Sequence, residues 1–123
     1  MALEHPEQLE LLKKLCKKGR GVRREPGIMN KLEAEYACLL EMKRRAGEIL
    51  WFEFDVVKFR LAKDTFYTPD FLVLSADLQL EVHEVKGFWE DDARVKIKVA
   101  ADRIPIHFIA VTKEKGQWKY EGF

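Results

Sequence analysis

The chain has 123 residues, 47% of them hydrophobic and 35% charged. That balance excludes a disordered or low-complexity chain and fits one soluble globular domain, 1–123, long enough to bury roughly two-thirds of its unfolded surface. With 22 Lys and Arg against 21 Asp and Glu, the net charge of +1 gives no global pull toward nucleic acid, so any such pull has to come from local patterning.

The first residues are charged and no long apolar run follows, so neither a secretory signal nor a membrane span is expected. Pro6 suits a first helical turn, and Leu9, Leu12, Leu15 and Cys16 recur at helical spacing until Gly19 and Gly21. Lys13, Lys14, Lys17, Lys18, Arg20, Arg23 and Arg24 crowd into twelve residues that hold no acid. Residues 1–27 thus read as a helix and a basic loop. Cys16 and Cys38, without a Cys-x-x-Cys or Cys/His cluster, make neither a disulfide framework nor a zinc site, and a reducing cytosol fits. Asn30 with Glu33 forms a capping-box signature, and Leu32, Tyr36, Leu39 and Leu40 give the apolar stripe of a helix over 31–46. Strands are expected over 49–61, 66–74 and 80–86, an antiparallel meander rich in aromatic and β-branched residues. Asp91 and Asp92 favour the start of a helix through Arg103, with Val95, Val99 and Ala100 inward. Pro105 then opens a buried strand over 106–111, and Lys115-Gly116 turns the chain into a last strand around Trp118–Tyr120, so that residues 112–123 form a C-terminal hairpin. The fold class is α/β in the broad sense, α+β, on a mixed sheet.

Pro69-Asp70 and Glu84-Val85-Lys86 carry the chemistry. A hairpin turn centred on Asp77 sets Asp70 opposite Glu84, with Cβ atoms roughly 5 Å apart, and period two returns Lys86 to the face of Glu84. A slip of one residue would scatter them. Glu-x-Lys alone means little, since Glu41-x-Lys43 sits mid-helix without sharing a face. Two acids and a lysine amid Phe71-Leu72-Val73-Leu74 and Val82 are another matter, because charges are seldom placed in such a sheet without a task. Paired carboxylates suit a hard divalent cation such as Mg²⁺, with Mn²⁺ able to substitute. Such an ion neutralises a phosphodiester and lowers the pKa of a bound water. Asp70 and Glu84 would hold it, the Val85 carbonyl can add a ligand, and Lys86 would orient the water or stabilise developing charge.

Lys31-Leu32-Glu33-Ala34-Glu35-Tyr36, Gly47-Glu48-Ile49, Tyr67-Thr68-Pro69-Asp70-Phe71 and Glu84-Val85-Lys86-Gly87, in that order, resemble the PD-(D/E)XK nuclease superfamily. Within it they are similar to a group of small, mostly phage-encoded proteins. The resemblance spans about residues 28–111. It implies a restriction-endonuclease-like core of helix, three-stranded antiparallel meander, helix and strand, with the N-terminal helix as an addition. It also implies a third catalytic acid from the helix before the sheet, at the position of Glu33. Periodicity puts Glu33 and Glu35 on opposite edges of the apolar stripe and does not choose between them, and Glu33 also reads simply as the capping-box partner of Asn30.

The expectation is a Mg²⁺-dependent DNA endonuclease using Glu33, Asp70, Glu84 and Lys86, cytoplasmic, in the host if phage-encoded. The competing expectation is a catalytically silent nucleic-acid-binding module of the same fold. Lys17, Lys18, Arg20, Arg23 and Arg24 are candidate DNA contacts, as are Arg94 and Lys98, one step of four apart on the helix after the motif, for which a solvated face is the plain alternative. So short a chain favours recognition of shape, as in branched or nicked DNA or a Holliday junction, and paired cuts would require a homodimer. His83, opposite in face to Glu84, reads as a packed histidine, and His107 likewise. Phe88 and Trp89 read as packing residues, with base stacking as the alternative.

Overall fold

The computed structural model describes residues 27–88 and 90–123. The expected N-terminal helix, the cations Lys17, Lys18, Arg20, Arg23 and Arg24, and Trp89 lie outside the described residues. Helix α1, Lys31–Arg45, begins as its cap dictates. Asn30 Oδ1 accepts from the Glu33 N–H at 2.8 Å and Glu33 Oε1 accepts from the Asn30 N–H at 2.9 Å, so two otherwise orphaned donors are satisfied reciprocally. The helix ends at Gly47, whose φ of 80° an L-residue adopts only under strain, and the Glu48 N–H returns to the Lys43 carbonyl. Cys38, in this helix, is disulfide-bonded, which corrects the expectation of a chain without one.

The two strands expected on either side of Asp64 each break in two. The first is β1, Ile49–Phe54, and β2, Phe59–Ala62; the second is β3, Thr65–Tyr67, and β4, Phe71–Ser75. Asp55 turns the backbone through a φ of 54° and gives its N–H to the Asp70 carbonyl, while Pro69 has no N–H to offer a ladder. The chain then forms β5, Leu80–Val85; α2, Asp91–Arg103; β6, His107–Glu114; and β7, Gln117–Gly122. Positive φ at both Lys115 and Gly116 makes the tight β6–β7 turn.

The main sheet runs β1-β4-β5-β6-β7, antiparallel except for the parallel β5–β6 pair that α2 connects, and β2–β3 form a separate ribbon. The fold is thus mixed α and β, with two helices among the described residues, neither long and apolar enough to cross a membrane. Helix α1 covers one face of the sheet, where Tyr36, Leu40, Phe71, Val73, Val85 and Val111 bury together and Trp118 closes the edge. Helix α2 and the ribbon cover the other, around Leu61, Tyr67, Val82, Ile97, Ala100 and Phe108. Phe71 and Phe108, fully enclosed on opposite faces, each contribute on the order of 2–3 kcal/mol by burial. The phase of α2 differs from expectation: Ala100 is inward, but Ile97 replaces Val95 and Val99, and Val95 is 58% exposed. His107 is exposed rather than packed.

The β4–β5 register matches a turn centred on Asp77. Phe71 pairs with His83, Leu72 with Val82 and Leu74 with Leu80. The turn forces Leu78 to a φ of 65° while leaving it 71% exposed. Because left-handed backbone costs a branched residue about 1–2 kcal/mol and asparagine much less, Leu78→Asn should raise stability by about 0.5–1 kcal/mol in urea unfolding. A loss would mean that the side chain is held by contacts outside the turn.

Candidate functional site

At the end of β4 and β5 three carboxylic acids meet in the protein interior. Glu33, Asp70 and Glu84 are 1%, 3% and 5% exposed. Asp70 lies in the bend just before β4, one step beyond the last ladder pair, and its side chain continues the ladder: Oδ2 accepts the Val85 N–H at 2.8 Å. Asp70 therefore reaches the C-terminal end of β5 as expected, although through its carboxyl rather than as a paired strand residue.

The cap of α1 decides which glutamate joins. Glu33 is held from behind by the Asn30 N–H and is hydrogen-bonded through its side chain to Asp70, so the capping role and the proximity to Asp70 coexist. Glu35 points elsewhere and pairs with Lys113 at 2.8 Å. On the far side Glu84 Oε2 accepts from the Tyr67 hydroxyl at 2.8 Å, and its Oε1 lies 3.6 Å from Lys86 Nζ. Asp70 is also hydrogen-bonded to Glu84. The result is a row, Glu33–Asp70–Glu84, with Tyr67 and Lys86 at its outer end.

Burial pushes the Asp70 carboxyl far above the usual carboxylate range, and the neighbouring Glu84 charge and the hydrogen bond with Glu33 add to this against the opposing Val85 N–H. Glu84 is also raised by burial, with Lys86, Tyr67 and Asp70 pulling the other way. Burial raises Tyr67 as well, so its hydroxyl stays a donor to Glu84. Two buried acids that resist ionising can share a proton or yield it to a cation. In side-chain chemistry the row is all oxygen, the donor type that hard divalent ions take. Among the described residues no three His, Cys, Asp or Glu side chains are already gathered around one point as a ligand set.

Beside the row is a cleft of about 230 Å³ lined by Tyr67, Glu84, Lys86, Asp92, Ala93 and Lys96. Lys96 is the α2 cation that lines this cleft. Arg94 is turned to Glu121, 2.9 Å from its Oε2, and Lys98 lines a separate groove with Ala101, Asp102 and Phe123. His83 lies on the opposite face, bonded to Tyr36 and Glu81, as a packed histidine. Phe88, expected to pack, is 75% exposed. Tyr67 stood in sequence only as the first residue of the Tyr67-Thr68-Pro69-Asp70-Phe71 motif and Lys96 only as a helix position, because neither says which face the ribbon and α2 turn toward Glu84. No family model matches the chain, and neither a curated protein nor a solved structure matches it.

The raised pKa values carry a stability consequence. A carboxyl that holds its proton more tightly in the folded state stabilises fully below its unfolded pKa and loses that contribution as pH rises through the folded value. His83, lowered by burial, affects only the acid side. The metal-free protein should therefore lose stability as pH rises from about 4, where the unfolded carboxyl ionises, to about 9, the folded Asp70 value, and Asp70→Asn should flatten that loss and gain about 1–3 kcal/mol near its upper end, measured by denaturant unfolding across pH. A variant no more stable than wild type at alkaline pH would mean that the row is not strained by charge.

Proposed function

We propose that the protein is a Mg²⁺-dependent DNA endonuclease of the PD-(D/E)XK type. The observation that carries this reading is the burial of Glu33, Asp70 and Glu84 in one hydrogen-bonded row beside Lys86 and an open cleft. Burying acids together costs several kcal/mol unless something compensates, and packing alone would be better served by apolar residues of similar volume. A helix cap needs only Glu33, and a strand end needs neither Asp70 nor Glu84. The order helix, antiparallel β1-β4-β5, helix α2 and parallel β6 also accords with a restriction-endonuclease-like core.

Mg²⁺ bound by Asp70 and Glu84, with Glu33 and the Val85 carbonyl as further donors, would neutralise phosphate charge and make a bound water acidic enough to attack. The residues of the chain supply the rest. The Val85 N–H fixes the Asp70 carboxyl, and the Tyr67 hydroxyl occupies one oxygen of Glu84, leaving Oε1 toward the cleft and Lys86. Lys86, 24% exposed at its side chain, is able to touch both the row and a phosphate entering from solvent, where as a cation it orients the water and stabilises charge developing on the scissile group. Lys96 on the opposite wall offers a second cation to the same phosphate.

The test is incubation with Mg²⁺ and linear, nicked, flap and four-way DNA. Asp70→Ala and Lys86→Ala should each lose roughly 100-fold or more of wild-type cleavage, Glu33→Gln should fall with them, and Glu35→Gln should stay near wild type. Absence of metal-dependent cleavage on every substrate, with DNA binding intact, would replace the nuclease by a silent binding module.

A further inference from the structure

The β2–β3 ribbon has two unlike faces. Phe59, Leu61 and Tyr67 pack inward against α2 and β6, and the Arg103 guanidinium donates to the Leu61 carbonyl, which fastens the ribbon to the helix. The outer face carries Lys58, Arg60 and Phe66, all exposed, with exposed Lys63 beside the turn. Arg60 and Phe66 are direct cross-strand partners, and the Lys58 ammonium sits over the Phe66 ring, 4.4 Å from its centre. Asp64 is the one acid between Lys58 and Tyr67. The ribbon's packing needs only its inner face. An aromatic ring flanked by cations on the outer one is the arrangement that takes a base on the ring and phosphates on the cations.

We propose that the outer face of the β2–β3 ribbon binds an unpaired nucleic-acid strand, with a base stacked on Phe66 and phosphates held by Lys58, Arg60 and Lys63. The proposal rests on the nuclease reading for the reason a strand should lie there. Tyr67, the next residue after Phe66, turns inward to hold Glu84 and line the cleft, so a strand leaving the cleft past Tyr67 meets the edge of the ribbon. Lys58 is exposed and reaches the ring from solvent, so the same face is open to a base while the ammonium moves to a phosphate. Phe66 makes the substrate an unpaired strand, as in a flap, a nick with a frayed end or a branch, because a base within a duplex keeps its faces stacked on its neighbours.

Binding is measured in chelator, without cleavage, by anisotropy of a labelled single-stranded oligonucleotide and of a blunt duplex, each across a salt series. Phe66→Ala should weaken single-strand binding roughly tenfold and duplex binding far less, and Phe66→Trp should restore it. The double variant Lys58→Ala, Arg60→Ala should lower the slope of log K against log salt by about 1.4, the sum of two single-strand phosphate contacts, without a change in melting temperature. Failure of the wild type to bind the oligonucleotide, or binding that none of these variants alters, would overturn the proposal. Equal competition by polyglutamate with no effect of Phe66→Ala would also overturn it, in favour of an acidic protein partner. Because no cleavage is read, a protein that binds through the ribbon but never cuts refutes the nuclease reading alone. One that cuts through Asp70 with ribbon variants intact refutes the ribbon alone.

Discussion

Three acids removed from water, with Asp70 between Glu33 and Glu84, are the constraint around which the rest of the structure is arranged. Each of Glu33, Asp70 and Glu84 is tied by a partner that fixes its direction: the Asn30 N–H, the Val85 N–H and the Tyr67 hydroxyl. Those partners come from a helix cap, a sheet strand and the separate ribbon, so the row joins the three layers of the fold. Without a cation the cost of burial appears at Asp70 and Glu84 as carboxyls that resist ionisation. The same property would make the site responsive to a divalent ion, since a cation would supply the positive charge that two buried carboxyls lack when they ionise.

The break between β3 and β4 is the structural device that permits this. Thr68-Pro69-Asp70 interrupts a run that would otherwise continue as one strand, and the interruption sends Tyr67 into the ribbon and Asp70 into the sheet end. Tyr67 then returns to Glu84 across seventeen residues of chain. Pro69, itself fully buried, sets the angle. A continuous strand would place Asp70 in a ladder and leave Glu84 without its phenol.

What sequence disclosed and what it hid follow from the range of the forces involved. The capping box, the end of α1 at Gly47 and the β4–β5 register were legible because they depend on neighbours a few residues apart or on the symmetry of one turn. Glu33 and Glu35 were not separable by periodicity, because both flank the apolar stripe; the capping hydrogen bond, which holds the Glu33 side chain at the start of the helix beside Asp70, separates them in space. The phase of α2 was misread because Val95 and Val99 form as good a helical stripe as Ile97 and Ala100. The choice is made by how the β5–α2–β6 crossover lays the helix on the sheet. The same rotation turns Lys96 into the cleft and Arg94 toward Glu121. The ribbon was hidden for a related reason, since alternation continues through Phe66 and Tyr67 whether or not the strand bends after them. Cys38 was misjudged because the absence of a spacing motif does not exclude a disulfide.

The account stands most directly on whether the buried row exchanges its protons for a cation. Calorimetric titration of the protein with Mg²⁺ at neutral pH, repeated in buffers of different ionisation enthalpy, counts the protons released on binding. The account predicts saturable binding that releases about one proton per site and disappears in Asp70→Asn. Binding with no proton release, or with the same affinity in Asp70→Asn, would contradict it, as would no binding at all.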